Sequence, residues 1–220
     1  HLEHRRQRQM CIRDSLNLGA APKNPLLPHQ LLLALTEESL AFILQNTFHW
    51  IKSITINTRK GEEISAGHFK PINSKRFVND CHEYIFHLTK SGDVPLQRRE
   101  AGVTYADKSN IKRWAHTGGN DKRCRGNTWF MPYDTIISRD KDRPHPATFP
   151  VDLVKQCLTI HGVTGSTHLL DPFLGIGTSA LAAQQMNLTH FTGFEIDDGY
   201  LATARTRLEA DLENPSSQLI

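Results

Sequence analysis

Near the C-terminal end, the segment LLDPFLGIGTSALAA (residues 169–183) restricts this chain more than any other stretch. A hydrophobic run stops at Asp171 and Pro172, Gly175 and Gly177 flank an isoleucine, and a helix of small residues opens at Thr178. Proline cannot donate to a sheet ladder, so a strand entering the segment ends near Asp171. That puts Asp171 at the carboxyl end of a strand, where open α/β sheets bind their ligands. The two glycines remove side chains where a nucleotide-like ligand must approach backbone.

The pattern around the turn is regular. Residues 149–162, FPVDLVKQCLTIHG, read as a helix stopped by Gly162, a residue suited to a C-cap. THLLD (167–171) reads as a short buried strand, residues 178–186 as a helix built on alanines, and HFTGFEI (190–196) as a second strand. DDGYLATARTRLEADL (197–212) reads as an amphipathic helix with Asp197 and Asp198 at its positive end. Helix, strand, helix, strand, helix is the order of a parallel sheet covered by helices.

Upstream, SLNLGAAPKNP (15–25) reads as a strand end and a loop. Leucines at helical spacing predict a helix over residues 27–44, with Pro28 in its first turn. The β-branched and aromatic run QNTFHWIKSITIN (45–57) predicts a strand, and NDCHEYIFHLTK (79–90) a second one antiparallel to it. Residues 59–67 read as a polar turn region, and 91–143 as a long irregular segment with one apolar run, NTWFMPY. A length of 220 residues suits one domain, with or without an insertion. No apolar stretch approaches the roughly 20 residues of a membrane helix. The N-terminus has no apolar signal-peptide core. The 4 cysteines form no C-x-x-C pair and read as free thiols in a reducing, cytoplasmic compartment.

Charge is unevenly placed. Lys52 to Arg143 carries about +7, and Pro144 to Ile220 about −5. A basic middle beside an acidic, glycine-containing end suits a polyanion contact next to a cofactor site; a charged, solvated insertion is the plainer alternative.

Two cofactor classes compete for the turn. GIGTSA satisfies a loose G-x-G-x-x-G/A pattern, and Glu195 lies about 20 residues on, where a dinucleotide fold places an acid for ribose hydroxyls. Asp171-Pro172-Phe173 points elsewhere. An acid ahead of the glycines suits a cofactor with a positive amino-acid end, such as S-adenosylmethionine.

Three blocks then carry a specific resemblance. LLDPFLGIGTSALAA resembles the D-P-F-x-G-x-G-[ST] motif of DNA amino-methyltransferases. GFEIDDGYLATARTRL (193–208) resembles their next block, with Gly193, Glu195, Tyr200, Ala204 and Arg207 in its places. RPHPATFPVDLVKQCL (143–158) resembles their H-P-A-x-[FY]-P-x-x-L block. The order is that of the family's β arrangement. The resemblance is strong over about 75 residues and looser over residues 16–143. It implies a Rossmann-like, S-adenosylmethionine-dependent α/β sheet with an inserted DNA target-recognition region, incomplete at the N-terminus.

Site roles follow from that resemblance. Asp171 and Phe173 would lie beside the methionine end of S-adenosylmethionine, with Gly175, Gly177 and Thr178 forming the turn around it. Glu195 would accept hydrogen bonds from the ribose, and Ile196 would pack on adenine. The His145 to Pro150 stretch, through His145, Pro146, Ala147 and Phe149, would close the methionine side. Double-stranded DNA is the implied partner, with Lys112, Arg113, Lys122, Arg123 and Arg125, interleaved with Trp114 and Trp129, as the candidate contacts. Trp129, inside an apolar run, reads as core. A cognate restriction enzyme would belong to the same system.

One block is missing. The family's [DSN]-P-P-[YFW] block binds the target amino group and stacks on the flipped base. This chain contains no Pro-Pro dipeptide, and Asn24-Pro25-Leu26-Leu27 lacks both the second proline and the aromatic. Met10–Ser15 resembles a translated sequencing adapter. The chain is therefore expected to be an N-terminally truncated enzyme with no catalytic residue of its own. The expected layout is an artefact or disordered tail at 1–15, a partial target-base half at 16–91, target recognition at 92–143 and the cofactor half at 144–220. A non-catalytic DNA- or cofactor-binding subunit completed by a partner chain is the alternative. HEYIFH (82–87) misses the H-E-x-x-H metal spacing by one residue and reads as a strand, where residues five apart face opposite ways, so no metal is expected.

Overall fold

The computed structural model describes residues 12–20, 23–37, 40, 42–57, 63–67, 75–76, 78–113, 117–132 and 149–213. Strand β1 (Arg13–Leu18) is followed by helix α1 (Leu27–Thr36) and the long strand β2 (Ile43–Asn57). Strands β3 (Glu63–Gly67) and β4 (His82–Thr89) come next, then the short helix α2 (Ser109–Arg113) and β5 (Thr128–Pro132). The last third is α3 (Val151–His161), β6 (His168–Asp171), α4 (Thr178–Gln185), β7 (His190–Gly193) and α5 (Asp198–Glu213).

Two sheets result. The larger runs β1-β4-β2-β3, with β5 also joined to β2. Strands β1 and β2 both pair antiparallel with β4, and β5 pairs parallel with β2. The smaller sheet is the parallel pair β6–β7. Alternation decides which face of each strand is buried. From β2, β4 and β5, Phe48, Trp50, Ile85, Trp129 and Met131 form one core with Leu153, Cys157 and Ile160 of α3. Trp129 is fully buried, its ring stacked 4.4 Å from that of Phe48 and its Nε1–H donated to the Gly126 carbonyl at 3.0 Å. A second core, Leu174, Ala180 and Ala204, forms around the glycine turn with Phe191, Leu201 and Leu208. Among the described residues, no helix is long and apolar enough to cross a membrane.

The C-terminal elements follow the sequence pattern. Gly162 caps α3 with φ 71°, its N–H reaching Leu158 and Thr159 carbonyls, and Pro150 directly precedes the helix. Upstream the pattern misled in four places, the first being residues 91–143, read as irregular but carrying α2 and β5. The helix predicted over 27–44 ends at Thr36, and the chain enters β2 at Ile43, because Ile43 and Leu44 pair with Thr89 and Leu88 of β4. The leucine periodicity continues past the helix only because these residues serve a strand. The turn region of 59–67 contains β3, antiparallel to β2. The tail expected at 1–15 overlaps β1, where Arg13, Asp14 and Ser15 pair with Thr89, Leu88 and His87; backbone pairing makes no demand on side-chain pattern, so composition could not reveal it.

The buried tryptophan supplies a test of this core. Trp129→Ala is expected to cost about 3–5 kcal/mol in urea unfolding, whereas Phe130→Ala, at a position 67% exposed, changes stability by no more than about 0.5 kcal/mol.

Candidate cofactor site

The glycine turn is held by backbone geometry. Strand β6 ends at Asp171, whose Oδ1 accepts the Phe173 N–H at 2.9 Å while Oδ2 accepts the Ser179 hydroxyl. One carboxylate thus ties the end of the strand to the first turn of α4. Phe194 N–H donates to the Asp171 carbonyl and Leu174 N–H to the Phe194 carbonyl, at 2.9 and 2.8 Å, so the turn is stitched to the end of β7. Gly175 and Gly177 have φ of 54° and 80°, the left-handed region that glycine enters without steric cost.

The second motif block explains itself here. A Cβ on Gly177 would lie 2.7 Å from the Ala204 Cβ, so α5 packs directly on the turn and needs a small residue at 204. One turn further along α5, Arg207 donates from one guanidinium nitrogen to the Ile176 carbonyl at 2.6 Å and the Thr178 hydroxyl at 3.3 Å. Burial lowers the affinity of that guanidinium for its proton. Ala204 and Arg207 therefore shape the turn from beneath.

Glu195 closes the other side. Its Oε1 accepts the N–H groups of Ile196 and Asp197 at 2.9 Å each, and its Oε2 accepts the Gly175 N–H at 2.7 Å. Those donors, Asp197 foremost, hold the carboxyl below the usual carboxylate range, so it stays ionised at neutral pH. Asp197 in turn accepts the Tyr200 N–H at 2.9 Å and caps α5.

A cavity of about 350 Å³ opens above the turn. Pro172, Phe173, Leu174, Gly175, Ile176 and Thr178 form one side, and Phe194, Glu195 and Ile196 another. Phe149 reaches the same cavity from the larger core, against which it also packs. Phe173 and Ile196 are 84% and 97% exposed, apolar side chains held open to solvent at the cavity rim. Sequence reasoning singles out Phe173, Gly175, Thr178, Glu195, Ile196 and Phe149 of this lining, with Asp171 and Gly177 of the turn that braces it. It missed Ser179 and Phe194, and gave Arg207 a place without a role. A hydroxyl one residue into α4 was the available signal for Ser179. Expected residues His145, Pro146 and Ala147, with Trp114, lie outside the described residues.

The basic candidates fall in a separate segment. Lys112 and Arg113 close α2. Lys122 lies 3.7 Å from Glu100, and Arg123 forms a backbone bridge with Val103. Arg125 precedes the Trp129 strand, its Nε buried and without a partner among the described residues. Gly118 and Gly119 turn the chain with φ of 59° and 80°. Lys108 and the Tyr105 N–H both bind Asp121, which fixes the base of this loop.

The sequence profile of the DNA methylase family matches residues 8–206. The Type II methyltransferase M.Cfr9I of Citrobacter freundii is 26% identical over 208 residues, covering 94% of this chain and 58% of the relative. M.SmaI of Serratia marcescens is 27% identical over 169 residues, covering 77% of this chain and 50% of the relative. The chain thus spans 50% to 58% of the length of these two curated relatives. Among solved structures, the M1.HpyAVI–SAM complex superposes with a TM-score of 0.52 at 20% identity, covering 90% of this chain and 74% of that one. The PvuII DNA methyltransferase (cytosine-N4-specific) gives 0.57 at 14% identity, covering 90% and 62%. These likenesses show a Rossmann-like fold.

The Gly177–Ala204 contact yields a double-mutant test. Gly177→Ala should destabilise the chain by about 1–3 kcal/mol through overpacking and positive φ. Adding Ala204→Gly should recover part of that loss, read as a favourable coupling energy in urea melts of the two single and one double variant.

Proposed function

The chain belongs to the N6/N4 DNA methylase family, and from that premise we propose that it holds the S-adenosylmethionine site of a site-specific DNA methyltransferase acting on adenine-N6 or cytosine-N4. The observation that carries the reading is the Asp171–Gly177 turn joined to Glu195 through the Gly175 N–H, with one cavity opening beside both. The residues present fit the cofactor. The exposed Ile196 offers apolar contact for an adenine ring, and the exposed Phe173 an apolar wall on the methionine side. An ionised Glu195 at the rim would accept a ribose hydroxyl at Oε2, which takes one N–H and keeps acceptor capacity, whereas Oε1 is filled by two. Asp171 supplies negative charge beside the turn, on the side of a positive amino-acid end.

When bound, S-adenosylmethionine supplies a methyl group on a sulfonium. The chain's own residues bind and orient it: Glu195 and Ile196 on the nucleoside side, Asp171, Phe173 and the glycine turn on the other, with Phe149 narrowing the cavity. Transfer to an exocyclic amino group depends on alignment and on excluding water, with no covalent intermediate on the protein. The chain has no Pro-Pro dipeptide to hold that amino group. We therefore read it as binding cofactor without methylating DNA by itself, the target-base block being supplied by other sequence. A subunit completed in trans is a second form of the same reading.

The basic segment would contact double-stranded DNA, with Lys112, Arg113, Arg123 and Arg125 on phosphates or base edges. Lys122 contributes less, since Glu100 lies beside it. The site is expected to belong to a bacterial, archaeal or phage-encoded cytoplasmic enzyme, paired with a restriction enzyme of the same specificity.

Calorimetry with S-adenosylhomocysteine tests the cofactor site. Saturable binding is expected at neutral pH, weakened at least about tenfold by Glu195→Ala, with no methyl transfer to plasmid DNA. Absence of binding would refute the reading, and full plasmid methylation would refute the dependence on a separate block. For DNA, Lys112→Ala with Arg113→Ala should lower the slope of log affinity against log salt by about two, and Lys122→Ala by less than one.

A further inference from the structure

The cavity has walls from two different cores. Phe149 packs against the larger sheet's core, whereas Leu174 of the turn belongs to the smaller one. Helix α3 is the element shared between these halves. Its Leu153, Cys157 and Ile160 sit in the larger core, and its length packs along α4, which starts at the glycine turn. Phe149 stands just ahead of its first residue, so the seating of α3 sets how the cavity closes.

At the far end of α3 lies a buried pair of imidazoles that the cofactor chemistry does not use. His161, the last residue of the helix, stands with its ring centroid 4.8 Å from that of His87 in β4. The two are 6% and 0% exposed. Asn46 of β2 donates its amide N–H to His87 Nδ1 at 3.1 Å, and Ser15 of β1 meets His161 Nε2 at 3.2 Å. An acceptor at Nδ1 puts the proton of neutral His87 on Nε2, a buried atom without a partner among the described residues. A second proton would set Nδ1–H against the Asn46 amide N–H, donor to donor.

We propose that His87 and His161 are positioning residues: a clamp of two neutral rings that seats α3 between the halves and so keeps Phe149 at the cofactor cavity, released when either ring gains a proton. The proposal rests on the cofactor reading above. The groups facing the pair, taken element by element, support it. Strand β1 brings Arg13, a positive charge, and Ser15; β2 brings Asn46 and the apolar Phe48, whose ring stacks 6.3 Å from His87. Helix α3 brings Cys157, whose thiol burial pushes up to about 12, so it carries no charge at neutral pH. Asp14, between Arg13 and Ser15, pairs with Leu88 and so lies on the other face of β1, its carboxyl raised by burial, and among the described residues no carboxylate adds to the causes acting on the pair. Burial, then Arg13, lowers His87 to about 4. Burial, then His87 and Arg13, lowers His161 to about 3. The sign follows: the released state binds protons near the ordinary histidine value of 6.5, the seated state does not. The clamp is intact above pH 6.5 and weakens as pH falls toward 4.

Amide hydrogen exchange, corrected for intrinsic rates, tests this at pH 7.5 and 5.5 beside S-adenosylhomocysteine affinity. In the parent chain, protection over residues 151–161 should fall about a hundredfold on acidification, about tenfold for each imidazole, and affinity should fall as the released state becomes populated, with β2 and β4 unchanged. In His87→Asn with His161→Gln, both should be flat with pH. Equal pH sensitivity in that variant overturns the proposal, as does parallel loss of protection in β2 and β4, which would mark the pair as serving global stability alone. If the double variant does not fold, imidazole titration by NMR of the parent decides: histidines 87 and 161 titrating near 6.5 with α3 still protected overturn the clamp. Should S-adenosylhomocysteine fail to bind at either pH, the cofactor reading falls, and the exchange data still decide whether α3 is released.

Discussion

Everything in this fold hangs on α3 facing two ways. Its spacing of Leu153, Cys157 and Ile160 buries one stripe in the core beneath the larger sheet, while another side lies on α4. An amphipathic helix of 11 residues is too short to be stable by propensity, so this double burial is what keeps it helical. In return it fixes the relation between two sheets that share no strand. Gly162 then turns the chain, and β6 begins six residues later.

From that arrangement the cofactor cavity follows as a consequence of chain direction. The parallel strands β6 and β7 end side by side, so that Asp171 braces the turn while Glu195, just past β7, lines the cavity and holds the same turn through Gly175. The backbone is preorganised before any ligand arrives. Three N–H groups satisfy Glu195, Ser179 and Phe173 satisfy Asp171, and Arg207 satisfies the Ile176 carbonyl. A turn with two left-handed glycines would otherwise be soft. Here the α5 packing on Gly177 removes that softness.

Legibility in the sequence differs between the two halves. In the C-terminal third each element packs on or pairs with a near neighbour in sequence, and Pro150, Gly162, Pro172, Gly177 or the capping Asp197 marks its ends, so local signals sufficed for α3, β6, α4 and α5. In the larger sheet the pairing partners are far apart, as with Trp50 and Trp129, and local signals competed. Ile43 and Leu44 satisfied a helical period as well as a strand, and only pairing with β4 chose between them. The basic segment showed the same limit. Five cations were equivalent in the sequence, yet Lys122 lies near Glu100 and Arg123 sits at a backbone bridge.

The amino-acid sequence by itself determined the glycine turn, the acids at the end of β6 and two residues past β7, the small residue at 204 and the basic charge of the middle segment. Those depend on residue type at fixed spacing, which is a one-dimensional property. Only the tertiary structure decided that Phe149 and Glu195 share a cavity, that Arg207 supports the turn, and that His87 meets His161 across 4.8 Å. These contacts join residues 31 to 74 positions apart, through strands and helices whose packing no local signal encodes.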